Sequence, residues 1–259
     1  MSNSIVVIPC YNEAQRLDTK AFSAFVAANH DVRLLLVDDG STDNTLKVLE
    51  QLRESNPAQV LLRSLPKNYG KAEAVRHGLL EACAAQPDYV GFWDADLATP
   101  LEDIPVFMKL MDDRSRIEMV FGSRVNLLGR NVHRRLGRHY LGRVFATAAA
   151  ATLGVGIYDT QCGAKLFRVT RGFVSRLQEP FIGGWIFDVE MIAREVQARR
   201  ASDLPPVRDV IFEYPLMVWR DVKGSKLRLT DWFVIVGALA RIYWKYIGPG
   251  SRTLTQSHG

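Results

Sequence analysis

The sequence predicts an α/β fold: a mostly parallel central sheet with helices on both faces. Three observations carry that prediction. Short apolar runs alternate with amphipathic segments through the first half of the chain. The runs are β-branched or aromatic and nearly continuous in apolar character, as strands covered on both faces are. The loops that follow the runs collect Asp, Asn, Gly and Glu, at the edge where ligands sit in open parallel sheets. The composition agrees: 259 residues, 47% hydrophobic and 24% charged, is ordinary globular usage that excludes disordered and collagen-like chains.

The elements follow in order. Candidate strands are Ile5–Ile8, Leu34–Val37, Val60–Leu62, Val90–Trp93 and Met119–Phe121. Between them, helical periodicity covers Ala14–Ala28, Asp43–Ser55, Lys71–Ala85 and Leu101–Asp113. This βαβα order implies parallel pairing. The second half is less regular. It predicts a helix over Arg134–Leu153, a strand over Ala164–Phe167, a helix over Ile186–Arg199 and extended chain over Val210–Val218. Thr230 or Asp231 caps a final helix through Tyr246, and Gly248–Gly259 reads as a loose tail. No apolar run reaches the roughly 18 residues that span a bilayer; the longest, Trp232–Ala240, ends at Arg241. No basic and then apolar leader is visible at the N-terminus. Cys10, Cys83 and Cys162 match neither a disulfide framework nor a zinc pattern, so a reducing, cytoplasmic setting is expected.

The positive charge is local. The chain carries 33 Lys plus Arg against 28 Asp plus Glu, a net charge of +5. From Met119 to Tyr158 there is no Asp, Glu or Lys, but there are six Arg (124, 130, 134, 135, 138 and 143). A +6 window in a +5 chain leaves the remainder at −1. Arginine without interleaved acid suits an anionic partner and bidentate phosphate contacts, against the plainer reading of a solvated helix face. His133 and His139 belong to this basic surface.

Asp94 and Asp96 end the Val90–Trp93 strand, one residue apart, where two carboxylates can share one hard cation such as Mg²⁺ or Mn²⁺. Asp38 and Asp39 end the second strand and suit hydrogen bonds from a base or ribose, with Ser41, Thr42 and Asp43 fitted to start the next helix. Gly40 supplies the freedom of the turn. Neither a P-loop nor a G-x-G-x-x-G fingerprint is present. Lys71 opens a helix, where a cation suits a phosphate better than it suits the helix; the plainer reading is an exposed lysine. Asp188 and Glu190 fall at a helix start, where acids favour the dipole, and Asp188 is the candidate general base. The final helix combines Trp232, Phe233, Tyr243, Trp244 and Tyr246 with Arg241 and Lys245. It reads either as an interfacial helix or as a helix docked on the core. Aromatics are not interleaved at stacking spacing in the Arg window, so a nucleic-acid partner is not expected.

Taken together, Val7–Glu13 (VIPCYNE), Leu35–Thr45 (LLVDDGSTDNT), Asn68–Ala74 (NYGKAEA), Phe92–Pro100 (FWDADLATP), Gly122–Arg124 (GSR), Asp159–Phe167 (DTQCGAKLF), Phe187–Glu190 (FDVE) and Gly224–Leu227 (GSKL) resemble the family 2 glycosyltransferases of the GT-A fold. The likeness is strongest to the polyprenyl-phosphate branch, the dolichyl-phosphate glucosyltransferases and mannose synthases. It implies a GT-A catalytic domain over 1–228, with a nucleotide-sugar half (1–100) and an acceptor half (101–228), then a C-terminal amphipathic helix over 229–247 and a tail over 248–259. It implies that Pro9, Tyr11, Glu13, Asp38, Asp39 and Ala95 hold the nucleotide, with Lys71 beside it. Asp94 and Asp96 would hold the metal and diphosphate, with Ala98 where the mannose synthases carry a metal-assisting Gln. Arg124, Arg138 and Lys226 would receive the acceptor phosphate, so catalysis rests on Asp96, Arg124 and Arg138. The implied reaction is inverting transfer of a sugar, glucose from UDP-glucose, to a polyprenyl or dolichyl monophosphate, by a protein peripheral on the cytoplasmic face of the membrane. The alternative is transfer to a saccharide hydroxyl in surface polysaccharide synthesis, with Asp188 as base.

Overall fold

The computed structural model describes residues 2–133, 136–220 and 229–249, with side chains outside 133–144 and 229–233. Its strands are β1 (Ser4–Cys10), β2 (Val32–Asp38), β3 (Val60–Ser64), β4 (Tyr89–Trp93), β5 (Met119–Ser123), β6 (Asn131–His133), β7 (Ala164–Arg168), β8 (Ile211–Pro215) and β9 (Val218–Arg220). Seven of them form one sheet in the order β3-β2-β1-β4-β7-β5-β8. All pairs in it are parallel except those of β7, which runs antiparallel to β4 and β5. The chain winds outward from β1 through β2 to β3, then returns to place β4 on the other side of β1. That reversal opens a crevice beyond the carboxyl ends of β1 and β4. The fold is GT-A.

Strand alternation divides the core into two layers. Ile5 and Val7 of β1, with Leu35 and Val37 of β2, face α3 (Lys71–Ala84), α5 (Leu136–Leu153), α6 (Arg171–Leu177) and α7 (Phe187–Arg200). Val6, Ile8, Leu34 and Leu36 face α1 (Thr19–Ala28), α2 (Thr45–Ser55) and α4 (Asp103–Asp113). The fully apolar strand text is thus explained by burial on both sides. A single turn, α8 (Val207–Val210), leads into β8. The last helix, α9 (Leu229–Ile242), continues as a π-helical turn over Tyr243–Ile247. It docks on the core through Ile235, Ala238, Leu239, Ile242 and Tyr246. Its opposite face leaves Val234, Val236, Tyr243 and Trp244 exposed. The docked reading describes one of its sides, and the other side is exposed.

The structure adjusts several predicted boundaries. Helix α1 begins at Thr19, not Ala14, because Asp18 caps it by accepting from Ala21 N at 3.0 Å. Residues 13–17 instead form tight turns on the Glu13 carbonyl. The stretch predicted as extended, Val210–Val218, is divided into β8 and β9, and β9 pairs in parallel with β6 as a separate two-stranded sheet. The short helix α6, capped by Thr170, has too few turns to show periodicity in the sequence. No helix among the described residues is long and apolar enough to cross a membrane. The three cysteines are free and buried.

Candidate active site

The loops at the β1 and β2 ends are laced together. Thr45 Oγ1 accepts from the backbone N–H of Glu13 and Ala14 at 2.8 and 3.0 Å, and Asn12 Oδ1 accepts from Thr42 N at 2.9 Å. Asp39 is buried, and its two carboxylate oxygens accept from Tyr69 N and Gly70 N, each at 2.8 Å. Burial pushes its carboxyl above the usual range against the pull of those N–H groups. Asp38 turns to Ser41 N and Ser64 Oγ instead. Gly40 has φ +63°, and a Cβ there would lie 2.3 Å from the Lys67 carbonyl carbon, so only glycine lets the two loops meet. Tyr11 is exposed at the mouth, and Glu13 Oε2 is buried with no hydrogen-bond partner. Pro9 lies within β1, opposite Val37.

Asp94 and Asp96 stand beside this crevice. Asp96 Oδ1 accepts from Ala98 N at 3.0 Å. Burial first, and the Asp94 carboxylate second, push the Asp96 carboxyl above its ordinary range. The Lys71 ammonium, at the start of α3, bonds Asp94 Oδ1. Burial alone would pull Lys71 down, but Asp94, Asp188 and Asp96 outweigh it and hold the ammonium charged. A cation relieves two close carboxylates, of which Asp96 is the one pushed up, so this pair fits Mg²⁺ or Mn²⁺ held by one or two carboxylates and completed by phosphate and water. Among the described residues no third His, Cys, Asp or Glu joins them. Ala98 is buried and offers no ligand, but its carbonyl accepts from Arg220 N at 3.0 Å, tying β9 to this loop.

Three further positions at the site carry no individual signal in the sequence, and all come from the DTQCGAKLF stretch. Gly163 makes room for the acid: a Cβ there would sit 1.9 Å from Asp94 Oδ2, and its carbonyl accepts from Asp94 N at 2.9 Å. Asp159 grips Arg124 through both oxygens, Nε to Oδ2 at 2.7 Å and Nη2 to Oδ1 at 2.8 Å, and also accepts from Arg124 N. Burial would lower the Arg124 guanidinium, but Asp159 raises it further and keeps it charged. Asp159 N in turn donates to Glu213 Oε1 at 2.9 Å, and the guanidinium lies 5.4 Å from the Trp219 ring centroid. Lys165 is fully buried; its Nζ bonds Asp188 Oδ1 at 2.5 Å and the Cys162 carbonyl at 2.6 Å, between the Phe92 and Phe121 rings.

That last pair bears on the candidate base. Asp188 is buried, and although burial raises its pKa, one oxygen is committed to an ammonium. This is the geometry of a counter-ion, not of a base open to an incoming hydroxyl. Glu190, two residues on, points away from the site and accepts from Gly183 N at 2.6 Å and Tyr246 Oη at 2.8 Å. Arg138 lies on α5 with its side chain outside the description, and Lys226 lies outside the described residues.

Comparisons with known proteins bear on the family and the fold. A model of "Glycosyl transferase family 2" matches residues 5–170. Dolichyl-phosphate beta-glucosyltransferase of Saccharomyces cerevisiae is 32% identical over 249 residues, covering 86% of this chain and 69% of that one. The protein of the same name from Dictyostelium discoideum is 31% identical over 239 residues, covering 86% and 68%. Glucosyl-3-phosphoglycerate synthase of Mycobacterium tuberculosis, solved with Mn²⁺ and UDP-glucose, superposes with a TM-score of 0.59 at 21% identity, over 93% of this chain and 76% of that one, a likeness of fold. The family match runs through every strand from β1 to β7 and through Asp94 and Asp96, and the chain belongs to glycosyl transferase family 2.

Proposed function

We propose that this glycosyltransferase moves glucose, with inversion, from UDP-glucose to a polyprenyl monophosphate of the dolichyl type, using Mg²⁺ or Mn²⁺. The names of its relatives support the donor and acceptor. The observation that carries the reading is the Arg124–Asp159 grip, a held guanidinium within electrostatic reach of Asp94 in a site whose one buried candidate base is already paired. By resemblance, Pro9, Tyr11, Glu13, Asp38, Asp39 and Ala95 hold the nucleotide. Asp94 and Asp96 hold the cation, which when bound offsets charge growing on the leaving diphosphate. Lys71 adds a second positive charge there and keeps Asp94 in place. Arg124, with Arg138 and Lys226 by resemblance, holds the acceptor phosphate and offsets the repulsion between two anionic substrates. A phosphate monoester has its second pKa near about 6 and is largely dianionic at neutral pH, so it attacks without a base. This is why the ion-paired Asp188 is no obstacle to this reading, whereas the saccharide-hydroxyl alternative needs it free.

Membrane contact would be peripheral, on the cytoplasmic face, through the Arg window and the exposed face of α9, where Val234, Val236, Tyr243 and Trp244 lie near Arg241 and Lys245. The test is nucleotide release from a donor panel with a polyprenyl phosphate and either cation. UDP-glucose is expected to give lipid-linked glucose. Turnover of no donor with any lipid phosphate would remove the reading.

A further inference from the structure

The chain between β5 and β6 leaves the site at Arg124 and returns at Asn131. Both roots are pinned: Arg124 by its backbone and guanidinium to Asp159, and Asn131 by its N–H to the Met217 carbonyl at 2.8 Å. Between them the chain turns sharply, with Arg130 N donating to the Leu127 carbonyl at 3.1 Å and Gly129 at φ +80°. The turn stands clear of the body, since a Cβ on Gly129 would meet nothing within 4 Å. At its tip Leu127 is 47% exposed and Leu128 is fully exposed, with Met217, itself half-exposed, beside the root. Turn tips favour Gly, Asn, Asp and Ser, and two adjacent leucines there gain nothing for the fold.

We infer that Leu127 and Leu128 are a membrane wedge that inserts into the interfacial region of an anionic bilayer and sets the Arg124 phosphate site against it. The inference rests on the proposed lipid-phosphate acceptor. The occupant follows from charge: the tip lies inside the acid-free window of six Arg, which complements anionic headgroups. A second copy of the chain is the competing occupant, and the test below separates the two. Leucines inserted beside arginines combine apolar burial with electrostatic attraction, the pairing that reversible interfacial anchors use.

The experiment uses the full chain and vesicles of phosphatidylcholine, with and without phosphatidylglycerol and free of polyprenyl phosphate. The wild type is expected to co-sediment with the anionic vesicles more than with the neutral ones. Leu127→Ser with Leu128→Ser should weaken that partition by about tenfold to a hundredfold, with unchanged thermal unfolding, and Leu127→Met with Leu128→Met should restore it. The Ser variant should turn over a short, water-soluble prenyl phosphate at the wild-type rate and lose rate only on acceptor embedded in vesicles. Unchanged vesicle binding by the folded Ser variant overturns the wedge. So does a wild-type dimer that the Ser substitutions convert to monomer without altering vesicle binding. Failure of the wild type to use either acceptor contradicts the proposed reaction and leaves the vesicle result to decide the wedge.

Discussion

Asp96 pairs with one backbone N–H and otherwise meets Asp94, and the proposed function gives it a share of the cation. Asp96→Asn is expected to lower kcat by roughly a thousandfold with unfolding unchanged, read by nucleotide release at saturating cation. Asp159 acts through Arg124. Asp159→Asn keeps the volume but weakens the grip, and should raise KM for the lipid phosphate by about tenfold or more while KM for the nucleotide sugar stays within about twofold. Lys165 and Asp188 form a buried pair, so each single substitution strands a charge. Lys165→Met should cost about 3–5 kcal/mol in urea unfolding, and Lys165→Met with Asp188→Leu should recover most of it. The residue types Asp94, Asp96 and Lys71 are legible in the sequence because their chemistry is unusual at a strand end or helix start. Lys165 is not: its strand reads as ordinary alternation, and its partner lies on a helix more than twenty residues away.

At the scale of elements, α4 carries a cost. Asp103, in its first turn, is buried, and that burial, with Glu102 adding, raises its pKa to about 6 against the pull of Arg130. A folded-state pKa above the ordinary 3.8 means the folded state binds the proton more tightly. Stability therefore falls as pH rises from about 4 to about 6, and the penalty is full above that. Asp103→Asn should raise stability by roughly 1–2 kcal/mol near neutral pH, with the gain fading towards pH 4, as followed by thermal unfolding across that range. Helix α9 is tied to α7 by Tyr246 and Glu190. Helix periodicity makes the long elements legible, but the start of α1 is set by the Asp18 cap, while Thr45 draws Glu13 and Ala14 towards α2. Such a choice between two local partners is settled by tertiary contact, and the sequence window does not contain it.

Across the whole molecule, the sheet gathers side chains distant in sequence at one edge. The alternation of runs and helices announces the parallel half, β3-β2-β1-β4, and hence the crevice. The antiparallel β7 was not legible, because a short buried strand reads the same in either direction. Its insertion between β4 and β5 is what brings Gly163 against Asp94 and Asp159 against Arg124, joining the two carboxylates to the guanidinium. The charge distribution follows the same division: a near-neutral body, and a basic window that begins on β5. The most direct test of this account is the transfer assay with UDP-glucose, a polyprenyl phosphate and Mg²⁺ or Mn²⁺, run beside the same mixture with a chelator. The account predicts polyprenyl-phosphate glucose and stoichiometric UDP, both abolished by the chelator. Glucose transferred to a saccharide hydroxyl but never to the lipid phosphate would contradict it.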